Sequence, residues 1–129
     1  MSAPDKSAAI SARVAKAWKF WTRGYGMSAS EILKTFEDGA DGCDQMVTRK
    51  GVPFTSHCEH HLATVFGTVT VAYIPDGRIV GLSKLARLVD CYARRLQVQE
   101  RLTQQIAHAI EKYLQPRGAA CVIRARHQC

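Results

Sequence analysis

The order of the predicted elements indicates an α+β fold. Two helical segments come first, a pair of strands follows, and two longer helices lead to a single last strand. Helices and strands in separate blocks, without strict alternation, are typical of α+β proteins. A chain of 129 residues has the size of one domain with one hydrophobic core. We therefore predict one domain over residues 1–129, with a helical part over 1–42 and a mixed part over 43–129.

The first helix is predicted over about residues 7–23. Apolar residues recur there at steps of three and four, which places them on one helix face. These residues are Ile10, Val14, Ala17, Trp18 and Trp21. Gly24-Tyr25-Gly26 ends this helix. Ser28 and Glu31 then have the spacing of a capping box, so we expect a short second helix that includes Phe36.

Two strands are predicted next. Residues 45–55 have a strand-like pattern that Gly51 and Pro53 interrupt. Residues 64–74 alternate more clearly, as expected for a strand with one buried face. One face carries Val65, Val69, Val71 and Tyr73, and the other carries Thr64, Phe66, Thr68 and Thr70. Pro75-Asp76-Gly77 then predicts a turn.

Two longer helices and a last strand complete the domain. Leu82 to Leu96 and Val98 to Tyr113 each carry apolar residues at helical spacing. Ser83 is the predicted N-cap of the first of these helices. The second should stop before Pro116. Residues 120–127 are the last predicted strand, which has no sequential partner.

The net charge of +7 favours anionic partners. The basic residues are spread along the chain without a long run or interleaved aromatic residues, so no nucleic-acid surface is expected. A solvated surface and a small phosphorylated ligand remain the two interpretations of this charge.

Features of a secreted or membrane protein are missing from the sequence. No apolar run approaches the roughly 18 residues that span a bilayer, and no signal-type apolar segment follows the first residues. We therefore expect a cytoplasmic location and no membrane partner. The five cysteines are then expected to be thiols or metal ligands. Cys43, Cys91 and Cys121 are interpreted as core or surface thiols.

The stretch Ser56-His57-Cys58-Glu59-His60-His61 and the downstream His127-Gln128-Cys129 can together form a metal site. Three thiol and imidazole ligands leave the fourth tetrahedral position open, which is typical of a catalytic zinc. Buried thiols with surface histidines are the alternative.

The remaining histidines differ in their predicted roles. His60 and His127 lie close to the presumed metal in sequence, and an imidazole can transfer protons near neutral pH. His57 and His108 have no evident partner and are expected to be solvated.

Two further features suggest ligand contacts. Lys84 and Arg87 lie one helical turn apart near a helix N-terminus, where a phosphate can bind. A solvated helix face is the alternative. Glu100 near the start of the next helix either favours the helix dipole or accepts the paired N–H donors of a guanine edge.

Several motifs together resemble the GTP cyclohydrolase I family from about Arg13 to Cys129. The motifs are Cys58-Glu59-His60-His61, Gly81-Leu82-Ser83-Lys84-Leu85-Ala86-Arg87 and Gln97-Val98-Gln99-Glu100-Arg101-Leu102-Thr103. Arg13-Val14-Ala15-Lys16 and Val71-Ala72-Tyr73-Ile74-Pro75 resemble two further family segments.

The resemblance implies the tunnelling fold, with antiparallel strands, two long helices on one face and N-terminal helices. It also implies a zinc-dependent homodecamer that converts GTP to 7,8-dihydroneopterin triphosphate and formate. By position it assigns Cys58, His61 and Cys129 to the metal, and His60 and His127 to catalysis. It assigns these residues to the substrate: Glu100, Gln99, Ser83, Lys84, Arg87, Arg13 and Lys16.

The family continues beyond the position of Cys129, and this sequence does not. The missing segment includes a partner of the last strand. We therefore expect the strand over residues 120–127 to be a sheet edge and its strand pair to be incomplete. This departure also predicts weak assembly or turnover. The alternative function is accordingly a weakly active or inactive subunit that binds nucleotide or partner subunits.

Overall fold

The structure, a computed structural model, describes residues 6–35 and 41–129. The elements are helix α1 Ser7–Trp21, a 3-10 turn Arg23–Gly26, helix α2 Ala29–Ile32, strands β1 Val47–Cys58 and β2 Thr64–Ile74, helix α3 Leu82–Ala93, strand β3 Leu96–Gln97, helix α4 Gln99–Leu114 and strand β4 Gly118–His127. The predicted contribution of Phe36 to the second helix lies outside the described residues. The element order confirms the predicted α+β class.

The four strands form one sheet in the order β3-β1-β2-β4. β1 and β2 form an antiparallel hairpin, and β4 pairs antiparallel with β2. β3 adds a short parallel pair beside the end of β1. β4 is therefore an edge strand within the described residues. The antiparallel hairpin and the two long helices agree with the tunnelling fold.

β1 continues through the two residues that were predicted to interrupt it. Gly51 has φ of +64°, which glycine adopts at little cost, and the register with β2 shifts between Arg49 and Val52. This bulge absorbs the irregularity. Pro53 then lies on a stretch of β1 that β3 does not reach, and sheets tolerate proline where one strand edge is open.

The core lies between the sheet and the two long helices. α3 packs against β1 and α4 against β4, and the predicted inner face of β2 is buried. Both helices bury their apolar faces, with Leu85 and Ile106 fully covered. None of the helices in the described ranges is long and apolar enough to span a membrane.

Two predicted helix caps differ from the structure. α3 begins at Leu82 with Gly81 as its N-cap, so Ser83 lies inside the first turn. The extended backbone of Gly81 already starts the helix, and its carbonyl accepts the Lys84 N–H at 2.9 Å. Ser28 occupies the N-cap of α2, but its side chain forms no cap. Its Oγ lies 2.8 Å from Ser30 Oγ instead.

α1 forms as predicted but contributes no buried residue to the core. Ile10 and Val14 on its apolar face are about half exposed. The helix is held at its C-terminal end, where Arg23 forms an ion pair with Asp90 of α3 at 2.9 Å. Gly24 then donates its N–H to the Arg94 carbonyl at 2.8 Å. These two contacts bind the segment after α1 to the C-terminal end of α3.

Candidate metal centre

The candidate site lies at one end of the sheet, where the β1–β2 hairpin turns and β4 ends. The loop is closed by the Cys58 N–H, which donates to the Ala63 carbonyl, and by the Leu62 N–H, which donates to the Cys58 carbonyl. Val65 pairs with His127 in the β2–β4 register. This register brings His127 and the residues after it to the hairpin loop.

Three side chains at this end form a group that could hold a metal ion. The ligand atoms of Cys58, His127 and Cys129 all lie within 4.8 Å of one another. Cys58 is buried, whereas the other two are exposed. It is the one such group found across residues 6–35 and 41–129. Two thiols and an imidazole are a donor set that suits zinc.

The two histidines of the hairpin loop contact the same thiols. His60 Nδ1 lies 3.2 Å from Cys58 Sγ, and His61 Nδ1 lies 3.3 Å from Cys129 Sγ. The structure therefore brings together all five residues predicted for the metal and for catalysis. Within this set His127, rather than His61, belongs to the tight three-residue group.

The two thiols of the group differ in their acidity. Hydrogen bonds from the backbone N–H of His60 and then from the His127 side chain lower the pKa of Cys58 to about 6. The pKa of Cys129 is raised, chiefly by its hydrogen bond with Cys58. The shifts therefore favour the thiolate form of Cys58 over that of Cys129. A thiolate is the form that binds metal.

The start of α4 lies beside the same loop. Cys58 and Gln97 are register partners in the β1–β3 pair, and the Glu59 N–H donates to the Gln97 carbonyl at 3.0 Å. Gln99 and Glu100 are the first residues of α4, which begins one residue after β3. This places two of the predicted substrate contacts at the same end of the sheet as the three-residue metal group.

The predicted substrate contacts on α3 lie elsewhere in the protomer. Ser83, Lys84 and Arg87 are on the first two turns of α3. Lys84 and Arg87 precede the last residue of this helix, Ala93, by about 14 and 9 Å along the helix axis. Lys84 and Arg87 line a separate cavity of about 420 Å³, together with Lys34 and residues of the segment 26–32. Among the described residues, no contact joins these three side chains to the metal group.

Arg13 and Lys16 lie on exposed positions of α1. They also have no contact with the metal group within the part of the chain that the structure describes. The structure thus brings together the residues predicted for the metal and for catalysis. The residues predicted to bind the triphosphate lie elsewhere in the protomer.

His57 differs most from its prediction, because it is buried and not solvated. Its side chain is 7% exposed and packs against Trp18 and Trp21 of α1, with ring centroids 4.9 and 5.2 Å away. Burial, and then the charge of Arg94, lower the pKa of this histidine. The one sequence feature that could have indicated this burial is the pair Trp18 and Trp21, which lie three residues apart on α1. His108 is exposed, as predicted.

Comparison with known proteins identifies the family. A family model described as GTP cyclohydrolase I matches residues 3–129. A protein named GTP cyclohydrolase 1 from Janthinobacterium sp. strain Marseille is 59% identical over 117 residues, which cover 91% of this chain and 59% of that protein.

Two further proteins of the same name show comparable similarity. The one from Nitrosospira multiformis is 54% identical over 91% of this chain and 61% of its own length. The one from Brucella suis is 48% identical over 98% of this chain and 60% of its own length. The chain therefore spans about 60% of the length of the curated relatives it matches. On the extent of these matches, the chain belongs to the GTP cyclohydrolase I family.

Proposed function

We propose that this chain catalyses the hydrolysis of GTP to 7,8-dihydroneopterin triphosphate and formate. The observation that carries the proposal is the convergence of two thiols and three histidines at one sheet end in a member of this family. The reaction consumes water, opens the imidazole ring of the base, and releases C8 as formate. It would be the first step of pterin, folate or deazaguanine synthesis.

We propose zinc as the metal, held by Cys58, His61 and Cys129. The lowered pKa of Cys58 and the approach of His61 Nδ1 to Cys129 Sγ at 3.3 Å support this set. His127 is the competing third ligand, because its ring lies within the tight group. A bound zinc ion would supply Lewis-acid activation of water near neutral pH.

His60 and His127 are the proposed proton-transfer residues. His60 contacts Cys58 at 3.2 Å and His127 hydrogen-bonds to the same thiol, so each ring lies beside the centre where the base would react. Either imidazole can carry a proton to a purine nitrogen near neutral pH.

Recognition of the guanine is assigned to Glu100, with Gln99 beside it at the start of α4. Ser83 is the further proposed contact and, because it lies on the first turn of α3, it would reach this base from a neighbouring copy. The Glu100 carboxylate is exposed, and no hydrogen bond or ion pair engages it among the described residues. It is thus free to accept two adjacent N–H donors from a base edge.

The triphosphate would bind Arg13, Lys16, Lys84 and Arg87. Because Lys84 and Arg87 line a separate cavity and have no contact with the metal group among the described residues, these residues would complete the site of a neighbouring copy. This separation supports the proposed homo-oligomer, a decamer by analogy with the family. Positioning by such cations is a recognised source of rate enhancement. We propose a cytoplasmic location, with neither membrane nor nucleic acid as partner.

The proposal is tested by incubating the chain with GTP and zinc and measuring formate together with the fluorescence of the oxidised pterin. We expect both products in equal amounts, and their loss with a chelator or in Cys58→Ser. Cys121→Ser is the matched control, because this half-buried thiol lies outside the metal group. GTP binding without formate release would instead favour a non-catalytic subunit.

A further inference from the structure

One ion pair connects the loop between β1 and β2, here called the metal-binding loop (residues 58–63), to the start of α4. Glu59 lies between Cys58 and His60 in sequence, and its carboxylate accepts a hydrogen bond from Arg101. Arg101 is in the first turn of α4, next to Glu100. The pair therefore links the loop that follows Cys58 and carries His60 and His61 to the turn that carries the proposed guanine contact.

The buried residue Gln97 of β3 is bonded to this loop and to the elements beside it. Gln97 of β3 is 4% exposed, and its side-chain amide donates to the Tyr92 carbonyl and to Gln105 Oε1, each at 2.8 Å. The Gln97 carbonyl accepts the Glu59 N–H. β3 is therefore held by its pairing with β1 and by the side-chain bonds of Gln97, and the loop and the start of α4 are both attached to it.

The position of Arg101 is not explained by helix stability. The partial positive charge at a helix N-terminus favours acidic residues and disfavours cations. Glu59 compensates the charge of Arg101 from outside the helix. Both side chains are nearly half exposed, at 44% and 40%, and such pairs contribute little to folding stability. A role in placing the loop accounts for the pair better than a role in stability.

We propose that Glu59 and Arg101 are positioning residues that hold the metal-binding loop against the first turn of α4. Their side chains contact each other and lie outside the three-residue metal group. The inference rests on the proposed function, because the placement matters for catalysis only where the metal and the guanine act in one reaction. Loss of the pair would leave the ligands present but less well arranged.

The test is a double-mutant cycle in the full chain with Glu59→Gln, Arg101→Gln and the double variant. Cobalt(II) is the probe, and its dissociation constant is read from thiolate-to-cobalt absorption. We expect each single variant to weaken cobalt binding about fivefold, and the double variant to be no weaker than either single one. Arg101→Lys, which retains the charge, should recover most of the affinity.

Arg117→Gln is the matched control, because it removes an exposed pair with Asp76 at the other end of the sheet. It should leave cobalt binding unchanged. Unchanged binding in both single variants, or losses that multiply in the double variant, would overturn the proposal.

Turnover of GTP provides a second readout, in which kcat should fall more than KM rises. A parent chain without turnover would reject the proposed function, and the cobalt cycle would still decide the role of the ion pair.

Discussion

Trp21 stacks on His57, with ring centroids 5.2 Å apart and ring planes inclined by 27°. His57 immediately precedes Cys58, so this contact joins α1 to the residue next to the metal group. Trp18 adds a second aromatic contact to the same imidazole. The chain contains two tryptophans, and both therefore lie against the strand end that carries the site.

Replacing His57 with alanine should release the C-terminal end of α1. Aromatic pairs contribute about 0.5–1.5 kcal/mol beyond their buried area, so we expect the free energy of unfolding to fall by about 1–3 kcal/mol. Tryptophan emission should shift to longer wavelength as the rings become hydrated. Urea unfolding and emission spectra check both effects.

His108→Ala is the control for this substitution, because His108 is exposed on α4. It should change neither stability nor emission. An unchanged emission spectrum in His57→Ala would show that the stacked arrangement is not maintained in solution.

The metal-free protein should contain a thiolate at neutral pH. Because the pKa of Cys58 is lowered from 9.0 to about 6, absorbance at 240 nm should rise with a midpoint near pH 6. Cys58→Ser should remove this step. Cys121→Ser should keep it, because burial raises the pKa of Cys121 to about 11.

The same shift has a consequence for stability. A lowered pKa means that the folded protein binds protons less readily than the unfolded chain. The contribution of Cys58 to the free energy of unfolding is therefore fully present above pH 9 and is lost as the pH falls through about 6. Urea unfolding of the metal-free protein between these pH values should show a smaller pH dependence in Cys58→Ser.

The two candidate imidazole ligands can be separated by substitution. If His61 binds the metal, His61→Ala should weaken zinc binding by more than about 100-fold, whereas His127→Ala should weaken it by at most about tenfold. His127→Ala should nevertheless abolish product formation. Competition with a chromophoric chelator measures the affinity, and His108→Ala serves as control. The reverse order of affinities would assign the ligand role to His127.

Local sequence patterns predicted β2 and the two long helices because each of them has one buried face. β2 alternates since only its helix-covered face is buried, and α4 has helical periodicity for the same reason. The prediction of a solvated His57 was wrong, because the helix that covers this residue lies more than 30 residues earlier in the chain. Ser83 was misplaced as a cap because the extended conformation of Gly81 cannot be inferred from residue type alone.

The thiols and histidines of the site could be predicted, because their spacing in the sequence is typical of a metal site. The paired thiols and histidines are brought together by the hairpin and by the β2–β4 register. The pair between Glu59 and Arg101 spans 42 positions, so no local pattern could indicate it. Lys84 and Arg87 fit a helix N-terminus, but that local signal does not tell at which end of the sheet the helix begins.

Gly24 should not tolerate a side chain. A Cβ at this position would lie 2.1 Å from the Cys91 carbonyl oxygen and 2.7 Å from that of Arg94. Both are backbone atoms, so the segment after α1 would have to move away from α3. We expect Gly24→Ala to lower the free energy of unfolding by about 1–3 kcal/mol or more.

Gly26→Ala provides a matched comparison two residues later, because a Cβ at this position would meet no described atom within 4 Å. It should change the free energy of unfolding by less than about 0.5 kcal/mol. Urea unfolding of both variants measures the difference. Displacement of this segment in Gly24→Ala should also move Trp18 and Trp21 from His57, with the emission shift expected for His57→Ala. Equal stability of the two glycine variants would contradict the close packing of this segment on α3.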